Sequence, residues 1–129
     1  MKLKVGLLGG GSWGTTVASL TAKNAETIIW ARNQKTVDEI NTHHTNQKYL
    51  PDAQLTPTLA ASNSIKETVE NADVIVLGIP SQNLRKVLEE AKQHIRPWVP
   101  IINLAKGLEI SSKMRMTEII EELMPGHPA

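Results

Sequence analysis

Four glycines crowd six positions in Gly9-Gly10-Gly11-Ser12-Trp13-Gly14, directly after the apolar run that ends at Leu8. Gly9, Gly11 and Gly14 meet the spacing G-x-G-x-x-G, and each has a mechanical task. The first permits a tight turn off a strand, the second lets a pyrophosphate approach the backbone, and the third lets the next helix pack closely. The N–H groups and dipole at that helix's start then face the phosphates. The chemistry is dinucleotide binding by backbone. Trp13 has two readings, core packing against the first helix or contact with a bound cofactor. Its place inside the turn, beside Ser12, favours the second.

A second candidate follows the next strand. Dinucleotide sites that take NAD usually carry an acid there to hold a ribose hydroxyl. Here the chain reads Trp30-Ala31-Arg32-Asn33, with no acid before Asp38. Arg32 stands 18 positions after Gly14, near the expected acid. A guanidinium there can grip a 2′-phosphate through two parallel hydrogen bonds, which points to NADP over NAD. An ordinary surface arginine is the plainer reading, and stacking on adenine a third. Pro80, in Gly78-Ile79-Pro80-Ser81, would wall the ligand crevice, or simply turn the strand into a helix capped by Ser81. Lys106, in Ala105-Lys106-Gly107, could hold a phosphate or polarise a carbonyl; spacing alone equally allows a solvated lysine. His43-His44 are adjacent and cannot both reach one metal as i, i+4 ligands do, so solvent or loop packing suits them. The pattern shows no paired carboxylates and no Ser-His-Asp arrangement, and implies no metal.

Strands and helices must position these groups. Strand-like runs lie at Lys4–Leu8, Thr27–Ala31, Thr58–Ala61, Val74–Leu77 and Ile101–Leu104, without polar alternation. Continuous β-branched runs mark strands buried on both faces, hence a parallel sheet between helices. Leu84, Val87, Leu88, Ala91 and Ile95 form one helical stripe, and Met116, Ile119, Ile120 and Leu123 another. Ser64-Ile65-Lys66-Glu67 has the pattern of a capping box. Asn41–Pro57 reads as a long connection. The order βαβα predicts an α/β fold: a doubly wound, mostly parallel sheet of the Rossmann dinucleotide-binding type. With 129 residues the chain suits one domain, 1–129. A net charge of +1 leaves no footprint for nucleic acid, and no run is long enough for a membrane span. The absence of cysteine excludes disulfides and thiolate chemistry and suits the cytoplasm.

Taken in order, G-x-G-S-W-G-T, W-A-R, K-Y-L-P, V-I-V-L-G-I-P-S-Q and N-L-A-K-G-L-E resemble the bacterial-type NAD(P)-dependent glycerol-3-phosphate dehydrogenases, over Lys2 to about Leu123. Gly10, where that family often has alanine, is a mild departure. The resemblance implies interconversion of sn-glycerol 3-phosphate and dihydroxyacetone phosphate for glycerophospholipid synthesis, with a triose phosphate as small-molecule substrate. It implies that Ser12 and Trp13 contact the cofactor phosphates and that Arg32 and Asn33 face the 2′-phosphate. It places Tyr49 near the cofactor, and gives Lys106 to both nicotinamide and substrate phosphate. The family's helical second domain, with its general acid/base lysine, is absent from this chain. The expectation is a cofactor-binding domain that binds NADP or NAD without turnover, and whose last helix exposes apolar surface at Leu123 and Met124. A stand-alone NADP(H)-binding module and another two-domain NADP-dependent dehydrogenase remain alternatives. The dimer state stays open, a homodimer of the full-length protein being one outcome.

Overall fold

The five apolar runs become five parallel strands. The structure, a computed structural model, describes residues 2–105 and 107–129. In chain order the elements are β1 Lys4–Leu8, α1 Ser12–Thr21, β2 Glu26–Trp30, α2 Gln34–His43, β3 Ala60–Ser62, α3 Ile65–Val69, β4 Val74–Leu77, α4 Leu84–Ala91, β5 Ile101–Asn103 and α5 Met116–Leu123. The strand order is β3-β2-β1-β4-β5, and every pairing is parallel. The chain winds from β1 to one edge, returns, and continues from β4 to the other. This is the doubly wound, Rossmann-like arrangement.

Both faces of the sheet are buried, which is why its strands carry no polar alternation. Val5, Leu7, Ile29 and Val76 pack with Ala18 of α1 and Val37 and Ile40 of α2. Their sheet neighbours Leu8, Trp30, Ile75, Leu77 and Ile101 point the other way, onto α3, α4 and α5. Adjacent residues of one strand thus feed two separate cores.

Four sequence expectations need correction. Ser81 does not cap α4: Pro80 leads into a single 3₁₀ turn over Ser81–Asn83, α4 starts at Leu84, and the Ser81 hydroxyl accepts from the Gln82 amide instead. The capping box at Ser64 is half formed. Its hydroxyl accepts from the Glu67 N–H at 3.1 Å, but the Glu67 carboxylate accepts from Ser62 rather than from the Ser64 backbone. The Asn41–Pro57 connection begins inside α2, which runs to His43 and closes on His44 in the left-handed region (φ 57°). Lastly, α5 offers no bare apolar face, because Met116, Ile119, Ile120 and Met124 are buried and Leu123 packs against them. Exposed large apolar side chains lie elsewhere, among them Trp13 and Leu20 of α1, Ile102 of β5, and Trp98 and Ile110 in connections.

Candidate functional site

The winding reverses between β1 and β4, and in such sheets ligands sit outside the carboxyl ends of the strands at that point. There Gly9 leaves β1 with φ +124°, and a Cβ on it would collide with the Gly78 carbonyl oxygen. A Cβ on Gly14 would sit 2.5 Å from the Gly9 carbonyl oxygen. The turn, the α1 start and the β4 exit are therefore locked by close backbone approach. Gly11 differs: a Cβ there would meet no atom within 4 Å. It is the N-cap of α1 and supplies no side-chain acceptor, so the first-turn amides have no side-chain partner. Open space before uncapped amides fits a pyrophosphate.

Two cavities flank this turn and share Ile79 and Pro80 as a common wall. The larger, about 510 Å³, is lined by Gly9, Gly10, Arg32, Asn33, Thr36, Lys48 and Tyr49 among others. Among the described residues no carboxylate lines it, and its charged residues are Arg32 and Lys48. The Arg32 guanidinium lies 5.8 Å from the Trp30 ring centroid, and the Lys48 ammonium 5.2 Å from that of Tyr49. Such contacts orient a cation without neutralising it. Neither cation forms an ion pair among the described residues. The smaller cavity, about 330 Å³, is lined by Gly11, Ser12, Trp13, Gly14, Ser81, Leu104 and Ala105, with Gly78. Trp13 is 61% exposed, which removes the core-packing alternative for it.

The structure thus gathers Gly9, Gly11, Ser12, Trp13, Gly14, Arg32, Asn33, Tyr49 and Pro80 around one groove. Lys106 lies outside the described residues. Asn33 carries a further duty, since its Oδ1 accepts from the Lys35 N–H at 2.8 Å and caps α2.

Two residues escaped the sequence reading. Asn46 is fully buried, and its Nδ2 donates to the Gly10 carbonyl and to the Thr15 hydroxyl, both at 3.1 Å. Thr15 donates to the same carbonyl at 3.2 Å, so a buried triangle fixes the glycine turn. The loop carrying Lys48 and Tyr49 is thereby tied to that turn. Lys48 was passed over although K-Y-L-P drew attention to its neighbour; a lone exposed lysine has no spacing signal. Beyond β5, Glu109 is 7% exposed and accepts from Arg85 Nε at 3.0 and 3.1 Å and from Ser112 at 2.6 Å. Hydrogen bonds from Arg85, then from Ser112, hold its carboxyl below the usual range. Arg85 also pairs with Glu122 of α5.

The parallel sheet, its glycine turn and the groove at the switch point define a Rossmann-type dinucleotide-binding domain. Residues 4–129 match the family model described as NAD-dependent glycerol-3-phosphate dehydrogenase N-terminus, and the chain belongs to that family. It is 58% identical over 128 residues to a glycerol-3-phosphate dehydrogenase (NAD(P)+) of Sphingopyxis alaskensis, covering 99% of this chain and 38% of that protein. A relative of the same name from Mycobacterium avium is 50% identical over 127 residues, covering 98% and 37%. The crystal structure of glycerol-3-phosphate dehydrogenase from Coxiella burnetii superposes with a TM-score of 0.85 at 29% identity, over 95% of this chain and 38% of that one. The enzyme from Saccharomyces cerevisiae gives 0.83 at 31% identity, over 95% and 40%. The chain therefore spans well under half the length of these relatives. Among the described residues, no helix is long and apolar enough to cross a membrane.

Proposed function

We propose that this chain is the cofactor-binding domain of an oxidoreductase that interconverts sn-glycerol 3-phosphate and dihydroxyacetone phosphate with NAD(P)(H), NADP being favoured. The observation that carries the NADP preference is the larger cavity, which among the described residues offers Arg32 and Lys48 and no carboxylate. A 2′-phosphate adds negative charge where this wall is positive, and a guanidinium can take it by two parallel hydrogen bonds. The pyrophosphate would lie at the α1 start over Gly11, between the two cavities. The smaller cavity, walled by Trp13, Pro80 and Ala105, would then receive the nicotinamide half. Lys106 follows Ala105 in the chain and is assigned to the nicotinamide and the substrate phosphate, as the family resemblance implies.

When bound, the nicotinamide supplies or accepts the hydride at C2 of the triose phosphate. The chain's own part is to bind the dinucleotide, fix its nicotinamide face and balance charge. The general acid/base lysine is assigned to the second domain of the longer family members, and the part proposed for residues 1–129 is to bind the cofactor. A cytoplasmic location and glycerophospholipid synthesis belong to the same proposal.

Calorimetric titration of the chain with NADPH and NADH at one salt concentration tests it. NADPH binds more tightly, and Arg32→Ala lowers its affinity by about tenfold to a hundredfold while leaving NADH unchanged, the value of charge-assisted hydrogen bonds. Equal binding of the two cofactors would remove the NADP preference and leave the glycine turn in place. Binding of neither would remove the cofactor site.

A further inference from the structure

The turn that carries Lys48 and Tyr49 is anchored from two sides. Its own ends meet, the Leu50 N–H donating to the Asn46 carbonyl at 2.8 Å. On the side of α2, one carboxylate oxygen of Glu39 accepts from the Thr45 hydroxyl at 2.7 Å and from the Gln47 N–H at 2.8 Å. On the side of the glycine turn, the Asn46 amide donates to the Gly10 carbonyl and to the Thr15 hydroxyl. That carbonyl can only accept, so the amide nitrogen must face it, and Oδ1 is turned away. Among the described residues, the buried Oδ1 finds no partner.

Folding alone does not explain this arrangement. A buried acceptor without a partner is costly, and an apolar side chain filling the same space would avoid that cost. The Gly10 carbonyl would still keep the Thr15 hydroxyl as a donor. What the amide adds is a connection across 36 positions, between the glycine turn and a tip that bears a cation. A lysine carries its charge on a flexible four-carbon stem, so that charge is placed only as well as the backbone beneath it. Arg32, on the same cavity, is placed differently: it follows β2, where the Ala31 N–H donates to the Ser62 carbonyl of β3 at 3.0 Å. The sheet thus places one cation and Asn46 the other. A ligand with two phosphates gains from having both places fixed before it arrives, since ordering a loop on binding lowers affinity.

We infer that Asn46 is a positioning residue for Lys48, setting the distance between glycine turn and cation to suit a nucleotide phosphorylated at both 2′ and 5′. The inference rests on the cofactor reading proposed above. Calorimetric titration of the chain with 2′,5′-ADP tests it. Lys48→Met, at an exposed position, lowers affinity about tenfold, the value of one charge-assisted hydrogen bond. Asn46→Ala lowers it by a similar factor, since it acts through Lys48. In the Asn46→Ala background, Lys48→Met brings a further loss below about threefold, because residues acting through one contact are not additive. Arg32→Ala keeps its full effect in both backgrounds, which a general loosening of the fold would not allow. Should the alanine variant not fold, Thr15→Val, close in shape, takes one acceptor from Asn46 and repeats the pattern with a loss of about threefold.

Three results would each overturn the inference: wild-type affinity in Asn46→Ala (or in Thr15→Val where that variant takes its place), a full further loss from Lys48→Met in that background, or an Arg32→Ala effect blunted to the same extent. The last would make Asn46 a residue of the fold only. Lys48→Met without any loss would remove Lys48 from the site, and the inference with it. A wild-type chain that binds 2′,5′-ADP no more tightly than 5′-AMP would overturn the NADP reading itself, and shows this before any variant is made.

Discussion

At the scale of single residues, the glycines of one motif divide by what surrounds them. Gly9 has φ +124°, and a side chain there meets the Gly78 carbonyl; Gly11 has an extended backbone and open space. Gly9→Ala therefore costs folding stability, about 2–4 kcal/mol from strain and overpacking together. Gly11→Ala leaves stability within about 0.5 kcal/mol, as surface changes do. Its methyl group stands where the pyrophosphate is proposed to approach, so NADPH affinity drops by at least about tenfold. Urea unfolding and calorimetric titration of both variants separate the two effects. A Gly11→Ala chain that binds normally would place the phosphates elsewhere. The spacing rule names both glycines but does not say which is needed by the fold and which by the ligand. That distinction required the neighbours of each Cβ. Asn46 lies further from sequence reading, because its partners, Gly10 and Thr15, are 36 and 31 positions away and one of them is a backbone carbonyl.

At the scale of elements, the strands were legible because burial on both faces leaves unbroken apolar runs; β1 and β4 stand where those runs stand. The edge strand β3 is only three residues long and shifted toward Ser62, since an edge needs less apolar length. Helix starts were less legible. Pro80 sets a 3₁₀ turn ahead of α4 and displaces Ser81 from the capping position. The link from α4 to the segment after β5, through Arg85 and Glu109, joins residues 24 positions apart and has no local pattern. That link is pH-dependent. Glu109 is held below its ordinary value of 4.5 by hydrogen bonds from Arg85 and then Ser112. A carboxylate depressed in the folded state contributes stability that is present above its unfolded value and is lost as pH falls through the folded one. Glu109→Gln is therefore less stable than the wild type at pH 7, and the gap closes only as pH falls past the ordinary carboxylate range and through the depressed folded value of Glu109, where both side chains are neutral. Urea midpoints at several pH values measure the convergence. A gap that persists in acid would assign the role of Glu109 to packing instead of charge.

At the scale of the molecule, the two ends of the sheet have different tasks. The carboxyl ends of β1, β2 and β4 open on the groove, whereas the amino end of β5 is closed by the residues after α5. The Ile101 N–H donates to the Pro128 carbonyl at 2.7 Å, and the His127 ring Nδ1 lies 2.9 Å from the Val99 carbonyl oxygen. Gly126, at φ +91°, lies against the ring of Trp98, itself in the left-handed region at φ 67°. Stability and binding are therefore separable by position. Removing residues 127–129 deletes three hydrogen bonds at the closed end, those with Ile101, Val99 and Met124, a loss of about 1.5–2 kcal/mol at the low end of the usual range, as suits a chain terminus. For a domain of this size that lowers the melting temperature by roughly 4–8 °C. The groove loses no lining residue, since neither cavity is lined by any of residues 127–129. NADPH affinity of the shortened chain, measured well below its melting temperature, stays at the wild-type value. A fall in affinity matching the fall in stability would mean that β5 transmits disorder from its amino end to its carboxyl end at Asn103, so that the closed end also serves to keep the groove in shape.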